Sequence, residues 1–116
     1  IRAALSNWIA DKDISAILIT GGTGFSGRDS TPEAVKPLFD KDIDGFGEIF
    51  RYLSHGEIGS STIQSRALAG VANNTTIFCI PGSTGACKLA WHELIKEQLD
   101  SSHQPCNFVG AFRSKD

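Results

Sequence analysis

The chain has 116 residues, of which 41% are hydrophobic and 21% charged, and its formal net charge is -2. This length fits one domain, the composition excludes a disordered chain, and the charge argues against a protein that grips a nucleic-acid backbone. No apolar run approaches the roughly 20 residues that span a bilayer. The three cysteines lack CxxC spacing, which argues against a disulfide scaffold or a zinc site. We therefore expect a cytoplasmic domain without a membrane or nucleic-acid partner.

The first third of the chain predicts a helix, a strand, a glycine-rich loop and a second helix. Apolar residues fall on one face of a helix over Arg2–Ala10, and Ile14–Thr20 reads as a strand buried on both faces of a parallel sheet. Four glycines follow within Gly21–Gly27. Ser30–Glu33 spells S-x-x-E, which predicts a capping box at the start of a short helix that Pro37 ends.

The rest of the chain predicts two further helices, a strand and a final helix. Apolar residues at helical spacing mark these helices in turn: Phe46, Ile49, Phe50 and Leu53; Ile63, Ala67, Leu68 and Val71; Cys87, Ala90, Trp91, Leu94, Ile95 and Leu99. A polar turn at Asn73–Asn74 precedes a buried strand over Thr75–Ile80, and a Pro-Gly-Ser turn follows that strand. We expect a polar, poorly patterned tail after Asp100.

This alternation of helices and strands favours an α/β fold with a mostly parallel sheet. In such sheets ligands bind outside the carboxyl ends of the strands. Both glycine turns, Gly21–Gly27 and Pro81–Gly85, follow the end of a predicted strand. If these strands are neighbours, the two turns line one crevice.

The spacing of Gly22, Gly24 and Gly27 is G-x-G-x-x-G, the pattern of dinucleotide-binding proteins. In those proteins the helix begins within the glycine pattern, so that its free N–H groups meet the pyrophosphate. Here the predicted helix begins only after Ser30. The pattern alone is a weak signal, and we disfavour a nicotinamide or flavin enzyme.

The glycine loop has two open interpretations. Successive backbone N–H groups can form an anion-binding nest, with Thr20, Thr23 and Ser26 as hydroxyl donors and Arg28 as a cation. Asp29 would then act through a divalent ion, as in magnesium-assisted phosphate chemistry. Alternatively, Asp29 merely caps a local turn.

The second turn is equally open. Ser83 or Thr84 is expected to cap the following helix. The N-terminus of that helix, with Lys88 in its second turn, would attract an anion. Alternatively, the segment is an ordinary connection between a strand and a helix.

The three histidines and Cys79 carry no signal of a further site. His55, His92 and His103 show no metal-ligand spacing, since HELIK lacks the second histidine of H-E-x-x-H, and we expect them to be solvated or at an interface. Cys79 lies in a predicted buried strand and is expected to be inert.

Three ordered motifs, TGGTGFSGRDSTPEA, EIGSSTIQSRALAG and IFCIPGSTGACKLAWHELIKEQLD, resemble those of the MogA/MoaB family of molybdenum cofactor biosynthesis, most closely its MoaB branch. The resemblance implies a three-layer α/β/α fold with a mostly parallel central sheet. It implies one molybdopterin-binding domain over residues 1–108 and a tail over 109–116. Relative to the family, we expect the first strand, a helix and a second acidic site to be missing before Ile1.

The resemblance also implies an activity. Members of the active branch are implied to be adenylyltransferases (nucleotidyltransferases) that use magnesium and ATP to adenylylate molybdopterin and release pyrophosphate. The alternative is a non-catalytic molybdopterin-binding or assembly protein of the same fold. Implied partners are further copies of the chain, as a trimer or hexamer, and a protein that inserts molybdate.

The family's functional residues map onto three segments of this chain. The resemblance assigns Asp29 as the catalytic acid and magnesium ligand. The residues implied to bind phosphate or pterin are Gly21, Gly22, Thr23, Gly24, Ser65, Arg66, Pro81, Gly82 and Ser83.

Overall fold

A four-stranded sheet lies at the centre of the computed structural model, which describes residues 1–111. The strands are β1 (Ala16–Thr20), β2 (Lys41–Asp42), β3 (Leu68–Ala72) and β4 (Thr75–Ile80). Their order is β1-β4-β3-β2; β1 runs parallel to β4, whereas the β4–β3 and β3–β2 pairs are antiparallel. The predicted α/β class is confirmed, but the sheet is mixed, because a tight hairpin joins β3 to β4.

Helices connect and cover these strands. They are α1 (Arg2–Ala10), α2 (Thr31–Val35), α3 (Asp44–Ile58), α4 (Thr84–Ala90), α5 (Lys96–Gln98) and α6 (Phe108–Ala111). Short 3-10 segments cover Lys36–Leu38 and Gly59–Gln64, and a π-helical segment, Trp91–Ile95, joins α4 to α5. The boundary predicted after residue 108 falls inside α6, and the last part of the predicted tail, 112–116, lies outside the described residues. No described helix is long and apolar enough to cross a membrane.

Side chains from both faces of β4 are buried, and they divide the core in two. Phe78 and Ile80 lie on one face of the sheet, where they pack against Phe46 and Phe50 of α3 and against the helical segment that begins at Thr84. The core on the other face contains Leu5, Ile17, Val35, Ala72, Ile77 and Cys79. Because helices cover the central strand on both faces, the predicted three-layer arrangement is confirmed.

The burial predicted for β1 is only half right. Ile17 is buried, but Leu18 on the opposite face is 43% exposed. Among the described strands β1 pairs only with β4 and therefore lies at an edge of the sheet. The helices that cover Phe78 and Ile80 do not extend over Leu18.

The helix predicted around Ile63, Ala67, Leu68 and Val71 is wrong. Ile63 lies in a 3-10 segment with 75% exposure, and the residues after it form β3. The turn residues Asn73 and Asn74 have φ of 49° and 60°. Two successive positive φ values are typical of the type I′ hairpin, so this turn pairs β3 with β4.

The predicted start of α2 is right, but its capping box is wrong. Ser30 is the N-cap residue and makes no side-chain capping hydrogen bond, while Glu33 forms an ion pair with Arg66. The helix is short, as predicted: it ends at Val35, and Pro37 lies in the 3-10 segment that follows. At the second turn the Ser83 hydroxyl caps α4 by accepting from the Ala86 N–H at 3.2 Å.

Candidate functional site

The two glycine turns lie side by side. Because β1 and β4 are parallel neighbours, their carboxyl ends meet at one edge of the sheet. The Gly21 N–H donates to the Ile80 carbonyl at 2.8 Å, and a Cβ added to Gly82 would lie 3.4 Å from the Gly21 Cα. The crevice expected from neighbouring strands is therefore present.

A cleft of about 270 Å³ lies between the turns. It contains most of the residues that the sequence suggested, namely Gly22, Thr23, Gly24, Asp29, Ser65, Pro81, Gly82 and Ser83. Gly21 and Arg66 are not in its lining. The ligand-binding roles of all these residues remain predictions, but the fold brings the three motifs to one place.

Six side chains that the sequence analysis missed also line the cleft. They are Phe50, Ser54 and Ile58 of α3, Ser61 and Gln64 of the following 3-10 segment, and Ala86 of α4. The three residues of α3 are spaced four apart, so they share one helix face. That spacing was a usable signal. The spacing did not predict that the chain turns after α3 and places Ser61 and Gln64 in the cleft lining.

The glycine loop is tied to the start of α2. Thr31 donates through its backbone N–H to the Gly22 carbonyl at 3.1 Å and through its hydroxyl to the Gly21 carbonyl at 2.9 Å. Both glycines have positive φ, 94° and 71°. A Cβ on Gly22 would lie 2.2 Å from the Thr31 Oγ1, so the close approach of these two residues requires glycine.

Asp29 caps its own loop. One carboxylate oxygen, Oδ2, accepts from the hydroxyl of Ser26 at 2.8 Å and from its backbone N–H at 2.9 Å. These bonds hold the pKa of Asp29 below its ordinary value. Asp29 thus caps a local turn, as one of the two interpretations predicted, and its carboxylate also borders the cleft. One accessible carboxylate fits Mg²⁺, which takes its other ligands from water and substrate phosphates.

Replacing Ser26 with alanine should raise the pKa of Asp29 toward its ordinary value, because the hydroxyl bond is the largest cause of the shift. A carboxyl with a lowered pKa stabilises the folded loop above the ordinary pKa, and this contribution is lost as the pH falls below about 4. A ¹³C NMR titration of the Asp29 carboxyl measures the shift. Ser30→Ala is the control, since Ser30 makes no side-chain capping bond; an equal shift in both variants would contradict the assignment.

Ser65 separates the cleft from a larger open hollow of about 800 Å³. Of all lining residues only Ser65 belongs to both cavities. Its Oγ is buried and, within residues 1–111, is the one such side-chain atom without a hydrogen-bond partner. A buried hydroxyl without a partner is costly, which favours a ligand that completes it. The larger hollow holds Lys36, Arg51 and Arg66, but both arginines already bind protein oxygens.

The other candidate metal ligands do not form a cluster among the described residues. In the part of the chain that the structure describes, no three His, Cys, Asp or Glu side chains are placed to hold a metal ion. Burial raises the pKa of Cys79 to about 12, in agreement with an inert thiol.

Comparison with known proteins decides the family. A family model described as "Probable molybdopterin binding domain" matches residues 1–101. The chain belongs to this family. Its member from Escherichia coli strain K12, "Molybdenum cofactor biosynthesis protein B", is 59% identical over 108 residues, which are 93% of this chain and 64% of that protein. The chain therefore spans less than two thirds of this relative's length.

Solved structures of the family share the fold. A crystal structure of a molybdenum cofactor biosynthesis protein B matches with a TM-score of 0.80 and 44% identity, over 84% of this chain and 62% of that one. The tungsten cofactor synthesizing protein MoaB from Pyrococcus furiosus matches with a TM-score of 0.68 and 42% identity, over 72% and 54% of the two chains. This family member therefore has the MoaB fold over most of its described residues.

Proposed function

We propose that this chain acts in molybdenum cofactor biosynthesis by binding molybdopterin in the cleft between its two glycine turns, and that it takes part in the adenylylation of molybdopterin by Mg-ATP. The observation that carries the proposal is the meeting of Gly22–Gly24, Asp29, Ser65 and Pro81–Ser83 in one cleft. The relatives' names support the pathway, and the family description supports the ligand.

The proposed reaction makes and breaks one bond at phosphorus. An oxygen of the molybdopterin phosphate attacks the α-phosphorus of ATP, and the bond to the β-phosphate oxygen breaks, so pyrophosphate leaves. Such transfers depend on positioning and on neutralising phosphate charge, with little covalent work for side chains. When bound, Mg²⁺ would supply that neutralisation, and Asp29 would hold it.

The groups of this chain have separable tasks in the proposal. Backbone N–H groups of Gly22 and Thr23 would face phosphate oxygens, whereas the Gly24 N–H bonds the Asp29 carboxylate, and the unpartnered Ser65 hydroxyl would donate to the ligand. The turn from Pro81 to Ser83 borders the pterin side. Gly82 packs beside Gly21, where an added Cβ would lie 3.4 Å from the Gly21 Cα.

Replacing Asp29 with asparagine should abolish pyrophosphate release while largely sparing molybdopterin binding. The amide keeps the size of the side chain but loses the charge that a magnesium ligand needs. Pyrophosphate release from molybdopterin and Mg-ATP measures turnover, and quenching of pterin fluorescence measures binding.

The matched control is Asp13→Asn, which removes an exposed carboxylate outside the cleft lining. It should leave both readouts unchanged. Unchanged turnover in Asp29→Asn would remove Asp29 from the mechanism.

A second candidate function is binding or assembly without catalysis. Asp29 is the one acidic residue in the described lining of the cleft, and its carboxylate is held within its own loop by Ser26. A single, internally bonded acid favours ligand binding over turnover. Molybdopterin binding by the unaltered chain, with no pyrophosphate release at any Mg-ATP concentration, would select this alternative.

The expected assembly remains a proposal as well. We propose a homo-oligomer, trimer or hexamer, located in the cytoplasm, that passes its product to a molybdate-inserting protein. The exposed apolar side chain of Ile49 on α3 is available for contacts between copies.

A further inference from the structure

Arg66, predicted to contact the ligand, directs its guanidinium at its own chain. Its Nε donates to the Gly24 carbonyl at 2.8 Å, and its Nη2 donates to the Asp29 carbonyl at 2.8 Å. Its Nη1 is paired with the Glu33 carboxylate, which lowers the pKa of Glu33. Every nitrogen of the guanidinium is therefore engaged with the glycine loop or with the helix that follows it.

Two further contacts bind Arg66 to the same loop. Its backbone N–H donates to the Thr23 carbonyl at 3.0 Å. Its guanidinium carbon lies 5.1 Å from the centre of the Phe25 ring, within cation–π range, and the Phe25 side chain remains 68% exposed. One residue thus contacts the loop at Thr23, Gly24, Phe25 and Asp29.

The segment carrying Arg66 is itself fixed to α3. Arg51 Nη1 donates to the carbonyls of Ser65 at 3.3 Å and Ala67 at 2.9 Å, the residues on either side of Arg66. The helix approaches closely there, because a Cβ on Gly47 would lie 2.7 Å from the Ala67 carbonyl oxygen. The contacts run without a break from α3 through residues 65–67 to the glycine loop.

We propose that Arg66 is a positioning residue: it holds the glycine loop in the conformation that binds phosphate and does not bind phosphate itself. In a trans peptide the C=O and the following N–H point in opposite directions. Because Arg66 draws the Thr23 and Gly24 carbonyls toward itself, the N–H groups of Gly24 and Phe25 point away from it, and the Gly24 N–H bonds the Asp29 carboxylate. The inference rests on the proposed function, since it assigns the remaining backbone amides of the loop to a phosphate.

The test compares Arg66→Lys with Arg2→Lys. Arg2 also donates to two backbone carbonyls, those of Glu33 and Ala34, but has no contact with the glycine loop. In the ligand-free chain, NMR hydrogen exchange of the amides over 22–29 should become about tenfold faster in Arg66→Lys, because local opening governs exchange there. Arg2→Lys should leave these amides unchanged. If Arg66 were a direct phosphate ligand, the ligand-free loop would exchange at the same rate in both variants, and that result overturns the proposal.

A second variant covers the case in which Arg66→Lys does not fold. Glu33→Ala keeps Arg66 but removes the carboxylate partner of its Nη1. Faster exchange confined to 22–29, with an unchanged thermal midpoint, supports the proposal, and unchanged exchange contradicts it.

Pyrophosphate with Mg²⁺, titrated by calorimetry, separates this inference from the proposed function. We expect the unaltered chain to bind it and Arg66→Lys to bind it about tenfold more weakly, by the same loss of loop order. If the unaltered chain binds pyrophosphate and loop exchange is unchanged in Arg66→Lys, the positioning role alone is contradicted. If the unaltered chain does not bind pyrophosphate, the phosphate-binding cleft and the positioning role are contradicted together.

Discussion

Replacing Gly22 with alanine is expected to reduce pyrophosphate release about 100-fold, the size of effect that a misplacement of about 1 Å near a reacting group produces. Gly22 has φ of 71°, which alanine adopts only at a cost of about 1–2 kcal/mol. The new Cβ would also lie 2.2 Å from the Thr31 hydroxyl, whose bond to the Gly21 carbonyl would be displaced. The pyrophosphate-release assay with molybdopterin and Mg-ATP measures the effect.

Gly27→Ala is the matched control within the same loop. A Cβ at Gly27 meets no atom within 4 Å, and this glycine has no positive φ. Gly27→Ala should keep most of the activity. Equal losses in the two variants would show that the loop tolerates no substitution anywhere and would contradict the specific role of the Gly22–Thr31 contact.

Replacing Phe78 with alanine should lower the free energy of unfolding by about 3–5 kcal/mol, as expected for a buried aromatic ring that leaves a cavity. Phe78 lies in the central strand with 2% exposure. Its ring packs edge-to-face on Phe46, with 5.1 Å between ring centres. Because a domain is stable by only about 5–15 kcal/mol, this loss is a large part of the total. Urea denaturation measures it.

Tyr52→Ala removes a ring of similar size from the surface of α3, where Tyr52 is 77% exposed. It should change the free energy of unfolding by no more than about 0.5 kcal/mol. A Phe78→Ala loss as small as that of Tyr52→Ala would mean that Phe78 does not hold the sheet to α3.

Local patterns predicted the central elements and the place of the site. The apolar run Thr75–Ile80 is a strand whose side chains are buried on both faces, and the glycine turns after β1 and β4 share a cleft. The first conclusion needed only strand periodicity. The second followed from the rule that parallel strands end at one edge, on the condition that β1 and β4 are neighbours, which the structure supplies. The motifs shared with the MoaB family added the ligand class, which no periodicity provides.

The predictions that failed were those that depend on contacts between distant segments. Leu68–Ala72 has the composition of a helix or a strand, and its pairing with β4 decides for the strand. Its fit depends on Gly70, where a Cβ would lie 2.1 Å from the Phe39 ring. Glu33 looked like a capping residue because Ser30 precedes it by three positions. Arg66, far along the chain, takes its carboxylate instead.

The pairing of β1 with β4 governs when the binding site comes into existence during folding. The β3–β4 hairpin joins adjacent segments and closes a short loop, whereas β1 must find β4 across more than half of the described chain. Closing that long loop carries the larger entropic cost and belongs to the slower step. A chain with only the hairpin formed has no cleft. The proposed ligand would thus be recognised by the completed native state alone, and by mass action its binding would stabilise the entire protein and not one local region of it.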